Sequence, residues 1–139
     1  MDIRALDESD VRSYRARVAG LAALLVAKIH KIAERADSPH RLNDKDAHDI
    51  YRLLVAVDTA PIAATLGMLL NDPLSGPATR YALKQTDVLF AQGPGLLGST
   101  MAGRAEEGIG DPATVALAVS ILAADILAEM GANPTGEEI

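Results

Sequence analysis

The chain has 139 residues, nearly half of them apolar but only four aromatic, and a net charge of −6. Cysteine is absent, which excludes a disulfide-stapled scaffold and a cysteine-ligated zinc site. The acidic balance argues against broad binding to nucleic acid or a membrane surface, and the length fits one domain packed by alanine and leucine, a helical composition.

The charge is unevenly spread. Residues 1–52 carry 10 Lys/Arg against 9 Asp/Glu, whereas residues 53–139 carry 3 against 10. An anionic ligand should therefore prefer the N-terminal third; alternatively, the second half simply has an acidic solvated face. The N-terminus has neither the basic start nor the apolar core of a signal segment, so the cytosol is the expected location.

Residues 1–20 differ from the rest. Ile3, Ala5, Tyr14, Ala16 and Val18 alternate with polar or charged residues around Asp7-Glu8-Ser9-Asp10. Period-two alternation about a polar turn predicts a short β-hairpin, or the remnant of a larger sheet. An isolated hairpin is marginal in water, so this one needs the helices, or a second copy or partner protein, to pack against.

Residues 20–131 are expected to form a bundle of five or six helices, making the fold mainly α with an N-terminal hairpin. Gly20 starts the first helix, which Asp37-Ser38-Pro39 ends. Asn43 or Asp44 caps a second, running to about Val57. Thr59-Ala60-Pro61 and Ser75-Gly76-Pro77 open a third and a fourth, each with proline in the first turn. Gln92–Gly98 is a turn, Ser99 to about Glu107 a short fifth helix, and Asp111-Pro112 opens the last. That helix is apolar nearly throughout. It is expected to be too short for a bilayer, is interrupted by Asp125, and should form the buried centre of the bundle. Residues 132–139 read as a disordered tail.

One pair of charges stands inside the apolar faces. On the first helix Lys28 falls among Leu21, Leu24, Leu25, Ile29 and Ile32. On the second, Asp46 shares the face of Ile50, Leu53 and Leu54, with Asp49 on its flank. Two helices joined by a short turn pack antiparallel, so both charges face one seam, where each needs a partner or an opening to water. One reading is a structural Lys28–Asp46 ion pair. The other is a lysine poised to hold a phosphate and oriented by Asp46 or Asp49. Arg35, His40, Arg41 and Lys45 gather at the turn, where they could contact the phosphates of a nucleotide or of an RNA acceptor end, or be solvated.

The string AALLVAKIHKIAER…RLNDKDAHDIYRLL, spanning about residues 14–55 with its flank, resembles the distal part of the abortive-infection (AbiEii-like) nucleotidyltransferase toxins of the polymerase-β type. Lys28 matches the family lysine, and Lys45-Asp46 with Asp49-Ile50-Tyr51 matches the following segment. The resemblance implies a nucleotidyltransferase-like C-terminal helical domain that binds nucleotide or phosphate through Lys28, with Arg35, Arg41 and Lys45 beside it and Asp46 and Asp49 orienting. The family's Gly-Ser helix start and Asp-x-Asp dyad, which hold Mg²⁺ against the nucleotide, have no counterpart before this segment. Catalytic residues are therefore not expected in this chain, and Mg²⁺ and a nucleoside triphosphate enter only if that region is supplied elsewhere. The rival expectation is a helical interaction or oligomerisation module.

Other motifs are weaker. Gly93–Thr100 has the glycine spacing of a P-loop, but serine stands where the lysine is required, so a turn is the better account. His30, His40 and His48 lack the spacing of helical metal ligands, and no serine sits in a nucleophile elbow.

Overall fold

The computed structural model describes residues 3–131, with side chains from residue 9 onward. The expected tail at 132–139 lies outside the described residues. Six helices follow one another: α1 (Ile3–Arg35), α2 (Asp44–Ala56), α3 (Thr59–Asn71), α4 (Gly76–Thr86), α5 (Leu97–Ala105) and α6 (Pro112–Gly131). A single 3₁₀ turn, Pro39–Arg41, joins α1 to α2, and α4 widens into a π-type turn over Asp87–Ala91.

The N-terminal hairpin is not present. There is no strand among the described residues, and α1 runs unbroken for 33 residues, about 50 Å at 1.5 Å per residue. The reason is local. From Ile3 to Ala19 the chain has no glycine, proline or asparagine to turn on, and it is rich in arginine and alanine, which favour helix. The spacing that looked like alternation also fits a seven-residue repeat. Val11, Val18, Leu25 and Ile32 are seven apart, with Tyr14 and Leu21 between them. Gly20 does not start the helix but lies inside it, where an added Cβ would meet nothing.

Two other helix starts, those of α2 and α6, follow their caps. The Asn43 side chain accepts from the Lys45 N–H at 3.0 Å and opens α2. Asp111 opens α6, accepting from the Ala113 N–H at 3.2 Å and the Thr114 hydroxyl at 2.6 Å. Such caps satisfy amides that the helix itself leaves orphaned.

The core lies where α1, α2, α3, α5 and α6 meet. Leu25, Ile29 and Ile32 of α1 pack in one cluster with Ile50 and Leu54 of α2, Leu66 of α3, Phe90, Met101 of α5 and Val119 of α6. α6 is not buried all round, contrary to the expectation. Val115, Val119, Ala123 and Ile126 face the bundle, while Leu117 and Ile121 are about half exposed. At 20 residues it is also long and apolar enough to cross a bilayer, a property that core helices share.

Small residues set the closest approaches. A Cβ on Gly98 would lie 2.6 Å from the Phe90 ring, and one on Gly103 would lie 2.8 Å from the Pro112 carbonyl. These two glycines let α5 sit against the π turn and α6. The Ser99 hydroxyl, fully buried, donates to the Phe90 carbonyl at 3.2 Å. The glycines of Gly93–Thr100 thus serve packing and turning, with Gly93 at φ 154°.

Candidate functional site

The charged seam between α1 and α2 is a ladder of five side chains. The Lys28 amine donates to Asp49 Oδ2 at 2.9 Å and to Asp46 Oδ1 at 3.4 Å. Lys31 donates to Asp46 at 3.2 Å, and Lys45 to Asp49 Oδ2 at 3.1 Å. The order is therefore Lys31–Asp46–Lys28–Asp49–Lys45, three cations on two carboxylates. The side chains grade outward from the core: Asp46 is 7% exposed, Lys28 23%, Lys31 41% and Lys45 75%.

The backbone explains the ladder. α1 and α2 run antiparallel. Lys28 and Lys31 are three residues apart on one helix, and Asp46 and Asp49 are three apart on the other, so each lysine meets one aspartate at the same level. Lys28 sits high enough in the seam to reach both. Asp49 holds the Lys28 amine above the ordinary lysine value of 10.5 by its hydrogen bond, against an opposing effect of burial. The same bond from Lys28 is the main cause that holds the Asp49 carboxyl below the ordinary 3.8, with Lys45 adding to it.

The structure brings together four of the six residues singled out from the sequence: Lys28, Lys45, Asp46 and Asp49. Arg35 and Arg41 lie apart from the ladder. The Arg35 guanidinium reaches only the Arg41 carbonyl, at 3.5 Å, and Arg41 is exposed. Neither arginine is in an ion pair among the described residues.

Lys31 was missed in the sequence, although the matched three-residue spacings on the two helices would have found it. Two further ties on α2 escaped as well. Arg104 of α5 grips Asp44 with two hydrogen bonds, at 3.0 and 2.9 Å. His48 pairs with Glu106 at 2.7 Å, both mostly buried, with its ring tilted against Tyr51. They join residues some sixty apart, which no local pattern reveals. His30 contacts the Ala78 carbonyl at 2.9 Å and packs on Tyr81, and His40 is exposed on the 3₁₀ turn. Among the described residues, no group of three or more His, Cys, Asp or Glu could hold a metal ion.

No cleft opens at the ladder in either of two cavities in the bundle. One, of about 10 Å³, is enclosed by apolar core residues such as Leu25, Ile29 and Phe90. The other, about 350 Å³, is an open groove between the start of α3 and the end of α6, lined by Thr59, Asp125, Ala128 and Glu129. Its acidic wall disfavours phosphate.

Fold and site together define an all-helical bundle with a clamped seam between its first two helices. No family model, no curated protein and no solved structure matches the chain.

Proposed function

We propose that this chain is a helical interaction module in which Lys28, Asp46 and Asp49 form a structural clamp between α1 and α2. The observation that carries this reading is the occupancy of the lysine. Its amine is already spent on two carboxylates, at 2.9 and 3.4 Å, and a phosphate would have to displace at least one of them. Part of a cation's pull on a phosphate is lost when two anions lie beside it.

The second reading keeps the nucleotidyltransferase-like domain. It is favoured by one feature, the pair Arg35 and Arg41, whose guanidinium groups meet no carboxylate among the described residues. In that reading Lys28, Arg35, Arg41 and Lys45 bind a nucleotide or an RNA acceptor end, and Mg²⁺ comes with a catalytic region supplied elsewhere.

Calorimetry with ATP and GTP, on the unaltered chain and on Lys28→Met, separates the two. The clamp predicts no heat of triphosphate binding and a folded variant destabilised by about 1 kcal/mol, since the pair is partly exposed and Asp46 keeps Lys31. Saturable triphosphate binding that Lys28→Met abolishes would overturn it in favour of the phosphate site.

A further inference from the structure

The sides of α1 and α4 that point away from the core form one shallow apolar face. The two helices are tied where the His30 ring contacts the Ala78 carbonyl at 2.9 Å and packs on Tyr81, and Val26 of α1 lines a core cavity with Leu83 and Thr86 of α4. They therefore run antiparallel, and Ala27 and Ala23 come level with the turns between Tyr81 and Val88. The outward positions of α1 are Ala16, Gly20, Ala23 and Ala27, all exposed. Spacings of four, three and four place them on one side of the helix. Leu24 stands beside them at 46% exposure, and Tyr81 and Val88, two turns apart, are 41% and 52% exposed. Small side chains on one helix and larger ones on its neighbour leave a trough of the kind into which the ridge of a further helix packs.

The charge around the trough has one sign. From Val11 to Ala33, α1 carries five Lys/Arg and no acid, and α4 carries two and no acid. These seven are more than half of the 13 Lys/Arg in a chain whose net charge is −6. Lys28 and Lys31 are taken up by the aspartates of α2. Arg17, Arg80 and Lys84 are exposed and in no ion pair among the described residues. Arg17, seven residues from Leu24, lies on one margin of the trough, and Arg80 and Lys84 lie beyond Tyr81 on the other. Of the nearest acids, Glu34 lies past one end, and the Asp87 carboxylate accepts from the Gln92 side chain at 2.8 Å.

We infer that the face of α1 and α4 docks an amphipathic helix of another protein, its apolar stripe on Ala23, Ala27, Tyr81 and Val88 and its flanking Asp/Glu against Arg17 and Lys84. This deepens the interaction reading above, on which it rests. A second copy of the same face would set base against base, so the occupant is a different, acidic chain. Nucleic acid would use the cations but has no need of an alanine floor. A bilayer surface takes protruding Trp, Phe or Leu side chains, whereas the alanines here are recessed.

Fluorescence anisotropy with the full chain tests this, using a designed peptide of about 20 residues with alanine and leucine at helical spacing and glutamate on both flanks, and its lysine-flanked counterpart. The glutamate-flanked peptide should bind with a Kd of about 10–100 μM, and the lysine-flanked one at least about tenfold more weakly. Ala27→Arg fills the floor of the trough while adding a base, and should weaken the glutamate-flanked peptide about tenfold or more. Lys84→Glu, at the margin, should weaken it about threefold. Both positions are exposed, and circular dichroism should match that of the unaltered chain. No binding at up to about 1 mM, or equal binding of the two peptides, overturns the acidic helix as occupant. Peptide binding that ignores Ala27→Arg overturns this face, while the interaction reading stands on another surface. Tighter binding of a single-stranded oligodeoxynucleotide or of phosphatidylserine vesicles than of the peptide, kept or strengthened in Ala27→Arg, overturns the protein partner itself and makes the face a polyanion site.

Discussion

The two halves of α1 carry one repeat and meet opposite surroundings. From Val18 to Arg35 the stripe is covered by the bundle, and the one lysine within it is clamped by two aspartates. From Ser9 to Arg17 the same stripe stands in solvent, flanked by charges with no ion pair among the described residues. The difference teaches that the repeat specifies a helix with one sticky side, but not what the side sticks to. In the first case the answer is other helices of the same chain, chiefly α2, α3 and α4. In the second, no helix of the described chain covers it.

The largest effect should come from the covered half. Ile29 is 2% exposed, and Ile29→Ala should cost about 2–5 kcal/mol by urea unfolding, whereas Val11→Ala in dilute solution should change stability by no more than about 0.5 kcal/mol. Equal costs would break the contrast, because they would mean that the arm is packed within the monomer.

Asp46→Ala comes next. It removes the most buried member of the ladder and strands Lys31, while Lys28 keeps Asp49, so a loss of about 1–2 kcal/mol is expected in the same measurement.

The ladder also sets a pH response. Asp49 titrates lower in the folded chain than unfolded, so its contribution is present above about pH 4 and lost as pH falls through the folded value. Lys28 titrates higher when folded, so its contribution is complete below 10.5 and lost as pH rises through the raised folded value. Urea titrations should therefore show the clamp at full strength between these limits. In Lys28→Met the alkaline decline should be smaller. An unchanged alkaline limb would remove Lys28 from the account.

The smallest effect is expected at the free end. Deleting residues 1–14 should leave the melting temperature of the bundle within about 2 °C, since Ser9 to Tyr14 are all exposed. A larger fall would sharpen the picture differently, by making the arm part of the folding unit.

Much of this was legible in the sequence where a local signal had no rival. Asn43 and Asp111 mark helix starts by side-chain chemistry that acts within three residues. Lys28 and Asp46 stood out as charges in apolar stripes, and two antiparallel helices had to bring them together. The arm was misread because Tyr14, Ala16 and Val18 satisfy a period of two, while Val11, Tyr14 and Val18 satisfy a helical one. Over so few residues the two patterns overlap, and only the absence of glycine, proline and asparagine from the polar stretch Asp7–Asp10 decides between them. The ties from Asp44 to Arg104 and from His48 to Glu106 depend on where α5 comes to rest. That position rests in turn on Gly98 and Gly103 admitting the Phe90 ring and the Pro112 carbonyl.

The equal spacing of the two lysines and the two aspartates has a mechanical consequence. Two rungs three residues apart fix the sliding coordinate of α2 along α1. A slip of one turn one way would keep only Lys28–Asp46 and set Asp49 level with Leu25; the other way it would keep only Lys31–Asp49 and set the nearly buried Asp46 level with Glu34. The seam therefore acts as a detent against sliding of α2 along α1. A load on the exposed end of α1 is carried down one continuous helix into that detent, and α2 is pulled with it.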